Sequence, residues 1–206
     1  MLKVVNISRQ YSWYLKIYII LFFSNIFTYF LNDFHPANAQ IIPDNTLGTE
    51  KSTITPQNLH ELIGGGAIRG ENLFHSFQEF NVNQGQQVYF TNPAGINNIF
   101  TRVTGNHISK IFGTLGIDGT ANLFLINPNG IIFGKNARLD IAGSFVASTA
   151  NAIRLGENGL FSATEPQNSN LLTIQPTALF SNALHQPQAE ISVEGNLTIG
   201  SRQTLT

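Results

Sequence analysis

Four features of this 206-residue chain have residue types that invite chemistry: His60-Glu61, Asp118-Gly119, Asp140 and the run Gly64-Gly65-Gly66-Ala67-Ile68-Arg69-Gly70. His-Glu begins a zinc-protease motif only if a second His follows at the fourth position, and Gly64 stands there. A phosphate-cradling loop needs G-x-G-x-x-G spacing or a Gly-Lys-Ser/Thr ending. The glycine run has neither, and reads as a loop. Calcium loops carry a ladder of alternating Asp residues, which neither Asp118 nor Asp140 enters. His60, His75, His107 and His185 stand singly, and there is no cysteine to complete a metal site. No G-x-S-x-G elbow is present. A polysaccharide-cleaving enzyme would need paired carboxylates. The acids after residue 39 form no close pair. No catalytic residue, metal or cofactor is expected.

The remaining signal is a turn. Asn127-Pro128-Asn129-Gly130-Ile131 separates the apolar runs Leu123–Ile126 and Ile131–Phe133. Pro128 presets φ, Asn127 can bond its side-chain oxygen to the backbone, and Asn129 and Gly130 tolerate φ > 0. Asn-Gly suggests a hairpin first. The device recurs as Asn92-Pro93-Ala94-Gly95-Ile96, 35 residues earlier. A repeated corner is what stacked coils require.

These corners must be set by strands. Leu139, Ile141, Gly143, Phe145 and Ala147 alternate as one face of a strand, and Val88–Phe90, Ile99–Val103, Ile108–Leu115 and Leu123–Ile126 are further candidates. Gly or Asn punctuates almost every interval. Residues 56–63 could form a helical turn or two, and no longer amphipathic helix is visible. The class is all-β. Phe100, Phe112, Phe124, Phe133 and Phe145 recur at intervals of 12, 12, 9 and 12, as if stacked in successive coils. Spacing alone leaves a β-sandwich and a parallel β-helix both open.

Residues 1–39 have a separate logic. Lys3, Arg9 and Lys16 precede an apolar run over 17–31, and Ala37-Asn38-Ala39 supplies small residues before Gln40. This reads as a signal peptide cleaved between Ala39 and Gln40, with no stable membrane anchor afterwards. The remaining chain has 8 Lys+Arg against 11 Asp+Glu, a net −3 with no basic cluster, so no nucleic-acid partner is expected. A chain without cysteine cannot cross-link itself in an oxidising compartment, which matters if it must pass a pore while unfolded.

The stretch from Phe90 through Thr149 resembles the filamentous haemagglutinin N-terminal domain, the secretion domain of two-partner secretion exoproteins. The likeness is carried by Asn127-Pro128-Asn129-Gly130-Ile131 and by Arg102-Val103-Thr104-Gly105, and extends over essentially all of 40–206. It implies a right-handed parallel β-helix with a capped N-terminal end. It also implies export by the inner-membrane secretion machinery. In the periplasm, the POTRA domains of an Omp85-type outer-membrane barrel would capture the unfolded chain. Folding would follow outside, giving a secreted or cell-surface protein. The Asn127–Ile131 and Asn92-Pro93 elements become candidate recognition residues as well as turns. Family members continue into a long adhesin or toxin passenger. This sequence stops at Thr206 in mid-pattern, which reads as a truncated product or one of several pieces. The alternative is a stand-alone surface adhesin, although Tyr89 is the only Tyr or Trp after the leader.

Overall fold

A cap comes first along the chain and coils follow. The computed structural model describes residues 41–57, 60–157, 159–169, 176–180 and 189–199. The leader and its expected cleavage residues Ala37, Ala39 and Gln40 lie outside these. The cap comprises β1 (Ile41–Pro43), β2 (Ser52–Gln57), β3 (His60–Gly65) and β4 (Ala67–Arg69). The expected helical turn over 56–63 is not formed: Pro56 and Gln57 end β2, and His60–Ile63 belong to its antiparallel partner β3. Three coils follow. The first holds β5 (Asn72–Phe80) and β6 (Gln87–Thr91). The second holds β7 (Asn98–Val103), β8 (Ser109–Ile111) and β9 (Thr114–Asp118). The third holds β10 (Asn122–Ile126), β11 (Ile131–Phe133) and β12 (Arg138–Asp140). A fourth coil starts with β13 (Phe145–Ser148). The chain then leaves the coil to make β14 (Ala152–Leu155), β15 (Gly159–Ser162) and β16 (Pro176–Phe180), and returns as β17 (Ile191–Val193) and β18 (Thr198–Ile199).

The stacked strands make three parallel faces. One runs β5-β7-β10-β13, a second β8-β11-β17, and a third β3-β6-β9-β12-β18. Leu73, Ile99, Leu123 and Phe145 stand in register, offsets of 26, 24 and 22 residues. The molecule is therefore a parallel β-helix, and its coil is about twice the interval suggested by the phenylalanines. The N-terminal edge is closed by antiparallel pairing: β4 and β1 cover β5, and β2 covers β3. Such pairing removes the row of free backbone groups that makes an edge strand sticky.

Side-chain alternation separates two cores. Leu73, Ile99, Leu123, Ile111, Ile131, Val88 and Leu115 fill the inside of the coils. The alternation expected over 139–147 survives a corner: Leu139 on β12, Ile141 between the strands and Phe145 on β13 are all interior, although they belong to two faces. Ile108–Leu115 is likewise broken, into β8 and β9. Phe74, Phe100 and Phe124 point outward from the first face and stack with centroids 5.1 and 4.8 Å apart. The antiparallel sheet β15-β14-β16 contributes Ile153, Leu155 and Phe161 over them. The regular spacing thus mixed two populations: Phe133 and Phe145 meet inside, Phe100 and Phe124 stack outside, and Phe112 sits at a part-buried corner. At the start of the same strands, Asn98 donates to Asn72 and Asn122 donates to Asn98, each at 3.0 Å. Identical amides in register pair donor to acceptor along the stack, as they do in cross-β ladders.

Candidate functional site

The five residues Asn127–Ile131 turn the chain from β10 on one face to β11 on another, so the element is a coil corner and not a hairpin. The turn closes with Gly130 N–H donating to the Asn127 carbonyl at 3.0 Å. Asn127 is fully buried. Its Nδ2 donates to the His107 carbonyl and to Ser109 Oγ, both at 3.0 Å and both on the coil beneath. Its Oδ1 accepts from the backbone N–H of Asn129 at 2.9 Å and from Asn129 Nδ2 at 3.1 Å. Asn129 Nδ2 also reaches the Gly105 carbonyl at 2.8 Å. Four hydrogen bonds converge on one amide, two of them between coils. Pro128 is buried and Ile131 lies in the core. Gly130 has φ +119°, and a Cβ there would come within 3.0 Å of the Glu190 carbonyl.

Asn92 and Pro93 start the other corner, which leads from β6 on the third face to β7 on the first. It closes one residue later: Ile96 N–H donates to the Pro93 carbonyl, with Gly95 at φ +85° in the turn. Asn92 Oδ1 accepts from the N–H groups of Thr120 and Ala121, on the following coil. Pro93, Ala94 and Gly95 are exposed. The two elements share a sequence, but neither a face nor a turn.

The arginine-valine-threonine-glycine step holds the residue that sequence reasoning under-read. Arg102 is fully buried on the outer side of β7. Its Nε donates to Ser76 Oγ, one terminal nitrogen to the Ser162 carbonyl and Ser169 Oγ, and the other to Thr46 Oγ1. The guanidinium also lies 4.4 Å from the Phe161 ring centroid. Asp44 completes the assembly through hydroxyls. It accepts from Thr46 Oγ1 at 2.6 Å, Ser76 Oγ at 2.8 Å and Thr104 Oγ1 at 2.6 Å. Burial raises the Asp44 pKa, but hydrogen bonds from Thr104, Thr46 and Ser76 outweigh it and leave the carboxyl below its ordinary range. Burial pulls Arg102 down to about 10, opposed by the charge of Asp44. The guanidinium stays charged at neutral pH. The signal for this site was a cation inside the apolar run Ile99–Val103, since a charge is buried only when it is partnered.

Elsewhere the chemistry is that of surfaces and cores. Tyr89 lies across Gly116, where a Cβ would overlap its ring, and donates to Asp140 Oδ2 at 2.8 Å. Burial first, and then the hydrogen bond and charge of Asp140, push the Tyr89 phenol up to about 12. Both Asp140 and His60, whose ring meets Tyr89 edge-on at 5.6 Å, are thus surface groups around one aromatic. Inside, His75 is desolvated to a pKa of about 3 and is neutral, with Nδ1 3.0 Å from Ser52 Oγ. The loop expected over 64–70 is not formed: Gly64 and Gly65 end β3 and Ala67–Arg69 make β4, with only Gly66 between the two strands. Among the described residues no group of three His, Cys, Asp or Glu could hold a metal, and no helix is long and apolar enough to cross a membrane. A cavity of about 350 Å³ beside the Asn127 corner is lined by Thr104, Asn106, Asn129, Asn151 and Glu165. Among the described residues that line it, Glu165 is the only carboxylate.

The model of the TPS secretion domain family matches residues 39–206. The chain belongs to that family. Two heme/hemopexin-binding proteins of Haemophilus influenzae resemble this TPS secretion domain. One is 36% identical over 83 residues, 40% of this chain and 9% of the relative. The other is 33% identical over 82 residues, 40% of this chain and 8% of the relative. The chain thus matches less than a tenth of these relatives' length. The TPS domain is a module of a two-partner secretion exoprotein, a secreted or cell-surface protein served by a partner transporter. Its family points to secretion or binding rather than to catalysis.

Proposed function

We propose that residues 40–206 are the targeting module through which the exoprotein engages an Omp85-type barrel, whose POTRA domains bind the chain unfolded in the periplasm. Residues 1–39 act as the leader that delivers it there, with cleavage after Ala39. Folding into the coils outside the cell then biases transit outward, because buried coils do not re-enter a pore. The carrying observation is the match of 39–206 to the TPS secretion domain. The geometry adds one constraint. Asn127 is fully buried with all its amide contacts internal, so a partner that reads it must do so before the corner closes. Short extended segments suit strand addition to POTRA edges at that stage.

The test is binding of isolated POTRA domains to unfolded and to folded chain, with wild type and Asn127→Ala in parallel. The reading expects binding to the unfolded chain only, weakened by the substitution. Binding confined to the folded domain would overturn it. Amino-terminal sequencing of exported protein should start at Gln40. Retention of residues 17–31 in a membrane-bound product would remove the leader.

A further inference from the structure

We propose that Asn129-Gly130 is a spontaneous deamidation site, open while the chain is unfolded and closed by the folded corner. The chemistry is that of any flexible Asn-Gly pair. The Gly130 backbone nitrogen attacks the Asn129 side-chain carbonyl carbon and forms a C–N bond. The bond from that carbon to Nδ2 breaks, and ammonia leaves with the proton. Water then opens the cyclic imide at one carbonyl or the other, giving Asp or isoAsp at 129. Glycine permits this because no side chain hinders approach of its nitrogen.

The corner withholds both reactants. Gly130 N–H is donated to the Asn127 carbonyl at 3.0 Å. The Asn129 amide is clamped by its bonds to the Gly105 carbonyl at 2.8 Å and Asn127 Oδ1 at 3.1 Å. Reaction in the folded state requires these bonds to open together. The product is also rejected. A carboxylate at 129 would face two oxygens, Gly105 O and Asn127 Oδ1, where the amide presented its two hydrogens. An isoAsp would also reroute the backbone through the side chain and displace the N–H that bonds Asn127 Oδ1. A chain that waits unfolded thus loses the ability to close this corner. The chemistry is independent of the export reading, which supplies only the setting in which a chain would wait.

The same dipeptide occurs at Asn158-Gly159, which calibrates the intrinsic rate in each sample of unfolded chain. Full chain is incubated at mildly alkaline pH, native or held unfolded in urea, and peptides are mapped by mass. Deamidation at 129 should match that at 158 in urea and be roughly tenfold slower or more in the native protein, because several hydrogen bonds must open first. Equal rates at 129 in both states would overturn the proposal. Ala94→Asn creates Asn-Gly at the exposed corner and should deamidate in the native protein well ahead of Asn129. Equal protection at both corners would show that the Asn127 clamp is not the cause. Asn129→Asp should lower the urea midpoint and bypass the kinetics. An unchanged midpoint would overturn rejection of the product.

Discussion

The corners at Asn92 and at Asn127 carry the same Asn-Pro-x-Gly-Ile pattern and perform different work. At the first, the Asn amide bonds forward to Thr120 and Ala121, while Pro93, Ala94 and Gly95 face solvent. At the second, it bonds backward to His107 and Ser109 and is fully buried. The residue between Pro and Gly decides much of this. Ala94 has no polar side chain, whereas Asn129 bonds both its own turn and the coil beneath. A short motif fixes that the chain turns. Its burial fixes what the turn is worth.

The largest break in the comparison should come from Asn127→Ala. It strands the buried Ser109 hydroxyl and takes the partner from the part-buried His107 carbonyl, and should cost about 2–4 kcal/mol in urea unfolding. Gly130→Ala should follow at about 2 kcal/mol, since strain at positive φ adds to the close Glu190 and Ile108 contacts. A loss no larger than that of Gly95→Ala would put the cost in φ alone. A Cβ added at Gly95 would meet nothing within 4 Å, and about 1 kcal/mol is expected there. Asn92→Ala is the smallest, about 1 kcal/mol or less, because water can replace much of what it supplies. An Asn92 loss equal to that of Asn127 would collapse the distinction between the corners.

Acid supplies an independent axis, because neither corner contains a titratable group. His75 is buried neutral with a folded pKa of about 3 against an ordinary 6.5. The unfolded chain therefore binds the proton more readily. The stability is complete above pH 6.5 and is lost as pH falls toward 3, by about 2 kcal/mol on reaching pH ~5. Urea midpoints of wild type, Asn92→Ala and Asn127→Ala should decline in parallel over that range. His75→Phe should flatten the decline if it folds.

Much of this was readable from residue types. Turn residues located both corners, and alternation located most strands. The coil length was not readable, because Phe100 and Phe124 lie on the outer side while Phe133 and Phe145 lie inside. Alternation reports that residues share a face, but not which face. The excursion through β14, β15 and β16 was hidden for the same reason: antiparallel strands alternate as coil strands do. The one-residue difference in turn closure escaped because both corners satisfy the same local preferences, and tertiary partners choose between them. Arg102 was visible within its motif, but its partners at 46, 76, 162 and 169 are far apart in sequence.

That separation has a consequence for order in time. Each coil leans on the one before it, so coils can be added as the chain emerges from its amino end. The clasp around Arg102 cannot form on that schedule. Thr46 and Ser76 precede it, but Ser162 and Ser169 come 60 and 67 residues later. The guanidinium is fully satisfied only once residue 169 has arrived, so it works as a gauge of chain length: closing the clasp registers that the cap, the strands β5 to β13 and the first two strands of the covering sheet, β14 and β15, are present.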